Sequence, residues 1–379
     1  MPSRQSFHSG RMASNIKAGN YESLGTYFSR VGYTSAWYGK QHWETLVNDF
    51  HDLGEDPTRV VKARFKDAGI EYPKGDDRLV EHAHTIDWSI ELNEETVVTE
   101  QSVAFLEAHK NDTTPFFLGV SYVRPHFPFT VQPAYASQYL DMPLPTVLPG
   151  MYDDLSAAMK SDFAKYGMGN LTETDLKKCR GVYYGMIDCV DEQVGLVLQK
   201  LDELGLREKT IVIYVADHGE MMGQHGIWYK NNYFEGAARV PFIVSMPSSA
   251  GTFAKTSDAP VGLIDLFPTL CEACGLAPPD SLEGKRLVPI LTGADDGASR
   301  VVVSENKRGG EPSRMIRTSD FKYCYYQNGF EQLYKVKSED RDVEAVNLAA
   351  DTGYASVKAD LKAAALLSWN PDGLSDSDD

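Results

Sequence analysis

Three apolar runs in this sequence each end in residues able to do chemistry. Residues 33–38, YTSAWY, lead into Gly39-Lys40-Gln41-His42. Residues 115–122, PFFLGVSY, lead into Arg124-Pro125-His126, and residues 210–216, TIVIYVA, lead into Asp217-His218-Gly219-Glu220. Lys230 follows in GIWYKNNYFE, close enough in sequence to fold back over the same rim. An adjacent Asp and His offer one oxygen and one nitrogen to a divalent cation. Two lysines beside a cation make a pocket for a tetrahedral anion, where charge-assisted hydrogen bonds are roughly twice as strong as neutral ones. His42 and His126 can carry protons near neutral pH. A cation, a cationic cradle and two proton carriers together suit displacement at sulfur or phosphorus. Neither HExxH nor GxSxG is present, so peptide hydrolysis fits less well.

Each residue has an ordinary reading as well. A single Lys or His at a strand end is usually a solvated rim residue, and Asp217 is equally able to cap a following helix. Lys40, His42, His126, Asp217 and His218 at three strand ends make the joint coincidence a poor explanation. His225 is read as a helix-surface residue, and His8, His51, His82, His84 and His109 have no comparable setting.

What must position these residues is an open α/β sheet, in which ligands bind beyond the carboxyl ends of the strands. Strands are expected at 33–38, 115–122, 210–216 and at 241–246, PFIVSM. IVIYVA is apolar at both alternating sets of positions, as expected of a strand buried on both faces. Helical periodicity runs from Glu173 to Leu204, with Tyr183, Ile187, Val190, Val194, Val197 and Leu201 as the core-facing stripe. Asp265–Cys274 reads as another helix, closed by Gly275. The segment 44–90 is polar and irregular and reads as a long excursion near the site. The expected fold class is α/β, a central, mostly parallel (mixed) sheet sandwiched by helices. Short strands RVVVSE, RMIRTS and FKYCYY, then a helix near 353–367, predict a smaller C-terminal antiparallel sheet plus helix. The expected units are residues 1–298, the α/β domain, and 299–370, a small α+β subdomain. Residues 371–379 read as a disordered acidic tail.

Composition sets outer limits. The formal net charge of −17 over 379 residues argues against a protein built to coat nucleic acid or anionic lipid. No run approaches 18 apolar residues, and the opening MPSRQSFHSGR has no apolar core of the secretory kind. Compartment and oligomeric state are not legible. The cysteines Cys179, Cys189, Cys271, Cys274 and Cys324 are no disulfide framework in a chain of this length. Cys271-x-x-Cys274 has no second pair for a zinc site and reads as buried thiols on a helix. Asn111-Asp-Thr and Asn170-Leu-Thr match the glycosylation pattern, a weak signal.

Several spaced motifs together resemble one family. Pro2-Ser3-Arg4-Gln5-Ser6, continuing to Ser9-Gly10-Arg11, is similar to the signature C-x-P-S-R-x-S-x-x-[ST]-G-R of the formylglycine-dependent sulfatases, in the alkaline phosphatase superfamily. GYTSAWYGKQHW resembles that family's GY-x-T-x-x-x-GK-x-H segment, and RPHFPF its PH-x-PF element. ADHGEMMGQHGIWYKNNYFEGAARVP resembles its DHGE…GLW-x-K…E…RVP run, and DLFPTLCEACGL…LEGKRLVPIL with RTSDFKYCYY…EQLYKV its closing portion.

The resemblance implies hydrolysis of a small-molecule or carbohydrate sulfate ester to an alcohol and inorganic sulfate. Arg4 would hold the nucleophile, Lys40 and Lys230 would grip the sulfate oxygens, and His42 would act beside the nucleophile. His126 would be a sulfate ligand or proton donor. Asp217 and His218 would ligate one divalent cation, usually calcium (Ca2+) in the family; many members carry Asn where His218 stands, which leaves manganese (Mn2+) or another transition metal open. The family's nucleophile, a Cys or Ser converted to formylglycine, stands two residues before Pro2. The chain is therefore expected to begin just after it, to lack the first strand, and to show no multiple-turnover sulfatase activity by itself. A phosphonate monoester or phosphodiester hydrolase, and a non-catalytic module that holds sulfated ligands, are the competing readings. The alcohol half of the substrate is not legible.

Overall fold

The computed structural model describes residues 2–17, 21–41, 50–73, 83–145, 153–165, 170–253, 256–336 and 344–376. Alternating strands and helices build its first part. Helix α1 (Pro2–Ser9) and helix α2 (Leu24–Arg30) precede strand β1 (Thr34–Gly39). Helix α3 (Pro57–Asp67) lies within the stretch read as irregular; Asp56 caps it by accepting from Thr58 N, and Pro57 opens it. Helix α4 (Glu94–His109) leads to β2 (Phe116–Ser121), and helix α5 (Glu173–Glu203) to β3 (Val212–Val215) and β4 (Phe242–Ser245). Helix α6 (Leu266–Ala273) closes this part.

β1 and β2 run parallel, with Thr34 opposite Phe116 and Gly39 opposite Ser121. β3 and β4 run antiparallel, with Val212 opposite Ser245 and Val215 opposite Phe242. Period-two alternation sends the side chains of each strand into two different cores. Trp37, Phe117, Ile213 and Phe242 join Phe7, Tyr27, Phe28 and Phe267 from α1, α2 and α6. Ala36, Tyr38, Phe116, Leu118 and Val212 join Val98, Phe105, Leu106 and Leu201 from α4 and α5. The result is a helix–sheet–helix sandwich.

Two expectations need correction here. The strand at 212–215 is not buried on both faces: Tyr214 is 39% exposed and Ile243, its register partner, 59%. Among the described residues β3 and β4 pair only with each other. The stripe on α5 holds at Val190 and Leu201, with Tyr183 and Val197 half-buried against the cores, but it is broader than expected and leaves Ile187 out. Cys179, Val182, Met186, Cys189 and Val190 are buried, whereas Ile187 is 37% exposed. The physical reason is close backbone approach: a Cβ on Gly185 would come within 2.8 Å of Ala136 backbone, so that glycine face turns inward.

After residue 300 the topology changes to antiparallel. Strands β5 (Val302–Arg308), β6 (Glu311–Arg317), β7 (Phe321–Tyr326) and β8 (Glu331–Lys335) form one sheet in the order β8-β7-β6-β5, backed by helix α7 (Ala355–Leu366). Its inner face does not stand apart: Met315, Cys324, Tyr326 and Tyr334 share a core with Phe127, Met186, Trp228 and Tyr233. Residues 371–376, read from composition as part of a disordered tail, are tied down instead. Pro371–Gly373 form a 3-10 turn and Leu374, 4% exposed, supplies an apolar anchor the charge pattern hid. No helix among the described residues is long and apolar enough to cross a membrane.

Candidate functional site

The ends of β1, β2 and β3 meet at Arg4 on α1. The side chain of Arg4 is buried, and its Nε donates to Asp217 Oδ2 at 2.8 Å just beyond β3. Its Nη1 donates to Lys40 O at 2.8 Å beyond β1, and to Ser121 Oγ at 3.3 Å at the end of β2. Ser3 Oγ, one residue earlier, donates to Asp217 O at 2.5 Å. The turn out of β1 is tight enough to demand glycine: Gly39 has φ +93°, and a Cβ there would lie 2.0 Å from Ser121 O. Lys40 N donates to that same carbonyl at 2.9 Å, which fixes where the Lys40 side chain departs.

Asp217 and His218 present a pair of acceptors. Burial works against ionisation of Asp217, yet the neighbouring His218, Arg4 and Lys40 outweigh it and hold its carboxyl below the usual carboxylate range. His218 Nδ1 donates to Gly219 O at 2.8 Å, which leaves Nε2 with its lone pair, 3.7 Å from Asp217 Oδ1. Burial lowers the His218 pKa, and so do the charges of Lys230 and Lys40, although Asp217 opposes them. A carboxylate oxygen and a neutral imidazole nitrogen at this separation fit two corners of a divalent-cation site. They fit as part of a set: among the described residues no group of three or more His, Cys, Asp or Glu is placed to hold a metal ion.

His126 and Lys230 lie close to this pair. His126 Nδ1 donates to Phe127 O at 2.8 Å, so Nε2 is the acceptor for Lys230 Nζ at 3.2 Å. Burial and the charges of Lys40 and Lys230 push the His126 pKa down to about 3, so the ring is neutral. Its centroid lies 6.5 Å from that of His218. Arg124, which opens the RPH element, pairs with buried Glu95 on α4 and thereby fixes the backbone leading to His126.

Lys230 reaches this wall from a loop with unusual backbone. Met222, His225 and Tyr229 all have positive φ, a conformation that side-chain-bearing residues adopt only when the surroundings enforce it. Glu220 holds it: its half-buried Oε1 accepts from Tyr229 N and, at 3.4 Å, from Met222 N. Burial pushes Glu220 up to about 7, while those two N–H groups oppose the rise. His225 stacks on Phe234 with centroids 3.9 Å apart, packing within the loop rather than sitting on a helix surface.

Thus Arg4, Lys40, His126, Asp217, His218 and Lys230 converge, and His42 lies outside the described residues. Asp217 caps no helix; its Oδ1 accepts from His218 N at 3.1 Å. Ser3, Ser121, Glu220 and the Arg124–Glu95 pair escaped the sequence reading. Glu220 and Arg124 stood inside quoted motifs, but only their partners in the fold assign them work. His8 escaped too: it is wholly buried beneath Arg4, its ring 4.7 Å from that of Trp37, and burial together with Arg4 lowers its pKa well below the usual value. Cys271 is buried on α6 and none of the cysteines is disulfide-bonded.

The family model described as sulfatase matches residues 1–276, and one described as N-sulphoglucosamine sulphohydrolase, C-terminal, matches residues 223–368. An arylsulfatase of Clostridium perfringens is 30% identical over 359 residues, covering 86% of this chain and 73% of that protein. A choline-sulfatase of Rhizobium meliloti is 26% identical over 377 residues, covering 92% of this chain and 72% of its own length. Among solved structures, a phosphonate monoester hydrolase from Silicibacter pomeroyi superposes with a TM-score of 0.78 at 23% identity, over 95% of this chain and 84% of that one. The fold is alkaline-phosphatase-like.

Proposed function

Because this chain belongs to the sulfatase family and is a sulfuric ester hydrolase, we propose that Arg4, Lys40, His126, Asp217, His218 and Lys230 form its sulfate ester site. The observation that carries this reading is the meeting of three strand ends on Arg4, with Lys40 and Lys230 near enough to His126 and His218 for their charges to lower both rings. Lys40 and Lys230 bind sulfate oxygens. His126, whose Nδ1–H is fixed on Phe127 O, turns Nε2 toward the same anion and the departing oxygen. An anion entering between His126 and Lys230 takes over the Lys230 ammonium as a hydrogen-bond donor. It also offsets the positive charges that depress His126, which favours a proton on Nε2 for the leaving alcohol.

Asp217 and His218 would hold a divalent cation, which supplies Lewis-acid polarisation of the ester oxygens when bound. Calcium is the proposed ion, and the imidazole of His218 also suits manganese. Arg4 would balance the charge of the family's formylglycine nucleophile, and His42 would serve as base beside it. The substrate is proposed to be a small-molecule or carbohydrate sulfate ester, since the relatives named above act on aryl and choline sulfates.

A phosphonate monoester is the second reading, because a hydrolase of that class shares the fold. Two lysines and a cation around one anion favour the fully ionised sulfate group. The test is release of 4-nitrophenol from 4-nitrophenyl sulfate and from 4-nitrophenyl phenylphosphonate by the complete gene product. A higher kcat/KM on the sulfate is expected; a preference for the phosphonate would overturn the assignment.

A further inference from the structure

The segment that carries Lys230 is anchored from outside the α/β part. Lys322 on β7 is 1% exposed and its Nζ donates to Tyr233 O at 2.8 Å and to Glu344 Oε1 at 2.8 Å. The same ammonium pairs with the Glu235 carboxylate, and Glu344 Oε2 accepts from Glu235 N at 2.7 Å. Burial works against ionisation of Glu235, but Lys322 outweighs it, whereas burial raises Glu344. The Lys322 ammonium thus pairs with both carboxylates, and Glu344 also holds the Glu235 backbone.

The backbone between Lys230 and this anchor is short and internally bonded. Asn232 N donates to Lys230 O at 2.6 Å, and Phe234 N donates to Asn232 Oδ1 at 3.0 Å. On the other side of Lys230, Glu220 accepts from Tyr229 N, and Met221 N donates to Tyr229 O at 3.0 Å. Lys230 thus sits between two clamps, one within its own loop and one from the antiparallel sheet. Buried charges are costly, and apolar side chains of similar volume would join the two parts at least as firmly. A triad that binds two backbone groups, Tyr233 O and Glu235 N, does what apolar packing does not: it fixes the register of the chain.

We propose that the buried Lys322–Glu235–Glu344 triad is a positioning device for Lys230, holding its ammonium against His126 and the substrate's sulfate group. This rests on the reading of Lys230 as a sulfate ligand. Lys322 acts through the backbone of residues 231–235, so its removal changes where the ammonium points rather than the charge of the pocket.

The test uses the full chain in calcium chloride, with inorganic sulfate as the probe. Glu235→Gln leaves Lys322 paired with Glu344 and so creates no unpaired buried charge; Lys322→Arg keeps the charge but changes the donor geometry. Amide hydrogen exchange in peptides covering 229–234 should quicken at least roughly tenfold in either variant, with β1 and β2 unchanged. Sulfate affinity should fall roughly five- to tenfold, and should fall no further when Lys230→Ala is already present. Unchanged exchange overturns the clamp. Faster exchange with an equal affinity loss in both backgrounds shows a structural tie that does not act through Lys230. If Lys230→Ala alone leaves sulfate affinity unchanged, the sulfate-ligand reading falls and the positioning role with it, while the exchange measurement still reports on the clamp. Failure of both variants to fold cooperatively would mark the triad as a stability element and overturn the proposal.

Discussion

Arg4 Nε lies 2.8 Å from Asp217 Oδ2, and through this bond the first helix of the chain closes on the end of strand β3. The guanidinium is the hub of the site, because its other donors reach the ends of β1 and β2. Five fixed N–H groups in a plane suit such bridging in a way a lysine does not.

Arg4→Ala should destabilise the protein by about 1.5–3 kcal/mol, since it takes the charged hydrogen bond of the guanidinium from the half-buried Asp217 carboxylate. Arg4→Lys should recover part of the loss but not the bonds to Lys40 O and Ser121 Oγ together. Urea denaturation of the three proteins measures both effects; a loss within 0.5 kcal/mol for Arg4→Ala, roughly the surface-substitution range, would contradict the hub.

Lys230→Ala should weaken binding of inorganic sulfate roughly ten- to hundredfold, the range for a lost hydrogen bond to a charged group. Lys230 is partly exposed, so the thermal unfolding midpoint should move by no more than a few degrees. Titration calorimetry and a melting curve on the same preparation separate the two. Loss of soluble, cooperatively folding protein would identify Lys230 as structural.

Calcium at a hundred times its dissociation constant should stabilise the protein by about 2.7 kcal/mol, and a chelator should abolish that gain. In Asp217→Asn and His218→Ala the melting temperature should no longer respond to calcium. A response of wild-type size in either variant would place the cation elsewhere.

His126 gives a pH signature. Its pKa in the fold is pushed down to about 3, whereas an unfolded histidine titrates near 6.5. Protonation therefore favours the unfolded chain. The stability that neutral His126 contributes is present in full above pH 6.5 and is lost as pH falls from there toward 3, with a slope of up to about 1.4 kcal/mol per pH unit. In His126→Gln this component is absent, so the gap between wild type and variant should change steadily below pH 6.5. Unfolding free energies at pH 7.5, 6 and 5 provide the check; a gap independent of pH would mean that His126 is not held neutral.

The strand ends were legible because an apolar run that stops at Lys40, His126 or Asp217 announces where a buried strand meets solvent, and parallel β1 and β2 bring two such ends together. The small antiparallel sheet was legible from closely spaced β-branched and aromatic runs. What could not be read was pairing. Nothing local distinguishes IVIYVA in a parallel strand from the same residues in β3, which runs antiparallel to β4 and leaves Tyr214 exposed. The residues that support the site were hidden for a related reason. Ser121, Glu220 and Lys322 are ordinary polar residues until distant chain segments bury them, and a buried donor or acceptor is recognised only by the partner it meets.

The bond from Arg4 to Asp217 spans 213 positions, and the one from Ser14 to Glu305 spans 291. On a ribosome adding about 5–20 residues per second, the segment around Arg4 waits roughly 10–40 s for Asp217 to be made. Throughout that interval α1 can meet Lys40 and Ser121 but not Asp217 or α6. The pocket is therefore completed only once β3 has been made, and until then Arg4 stays open on its Asp217 side to anything that meets the growing chain.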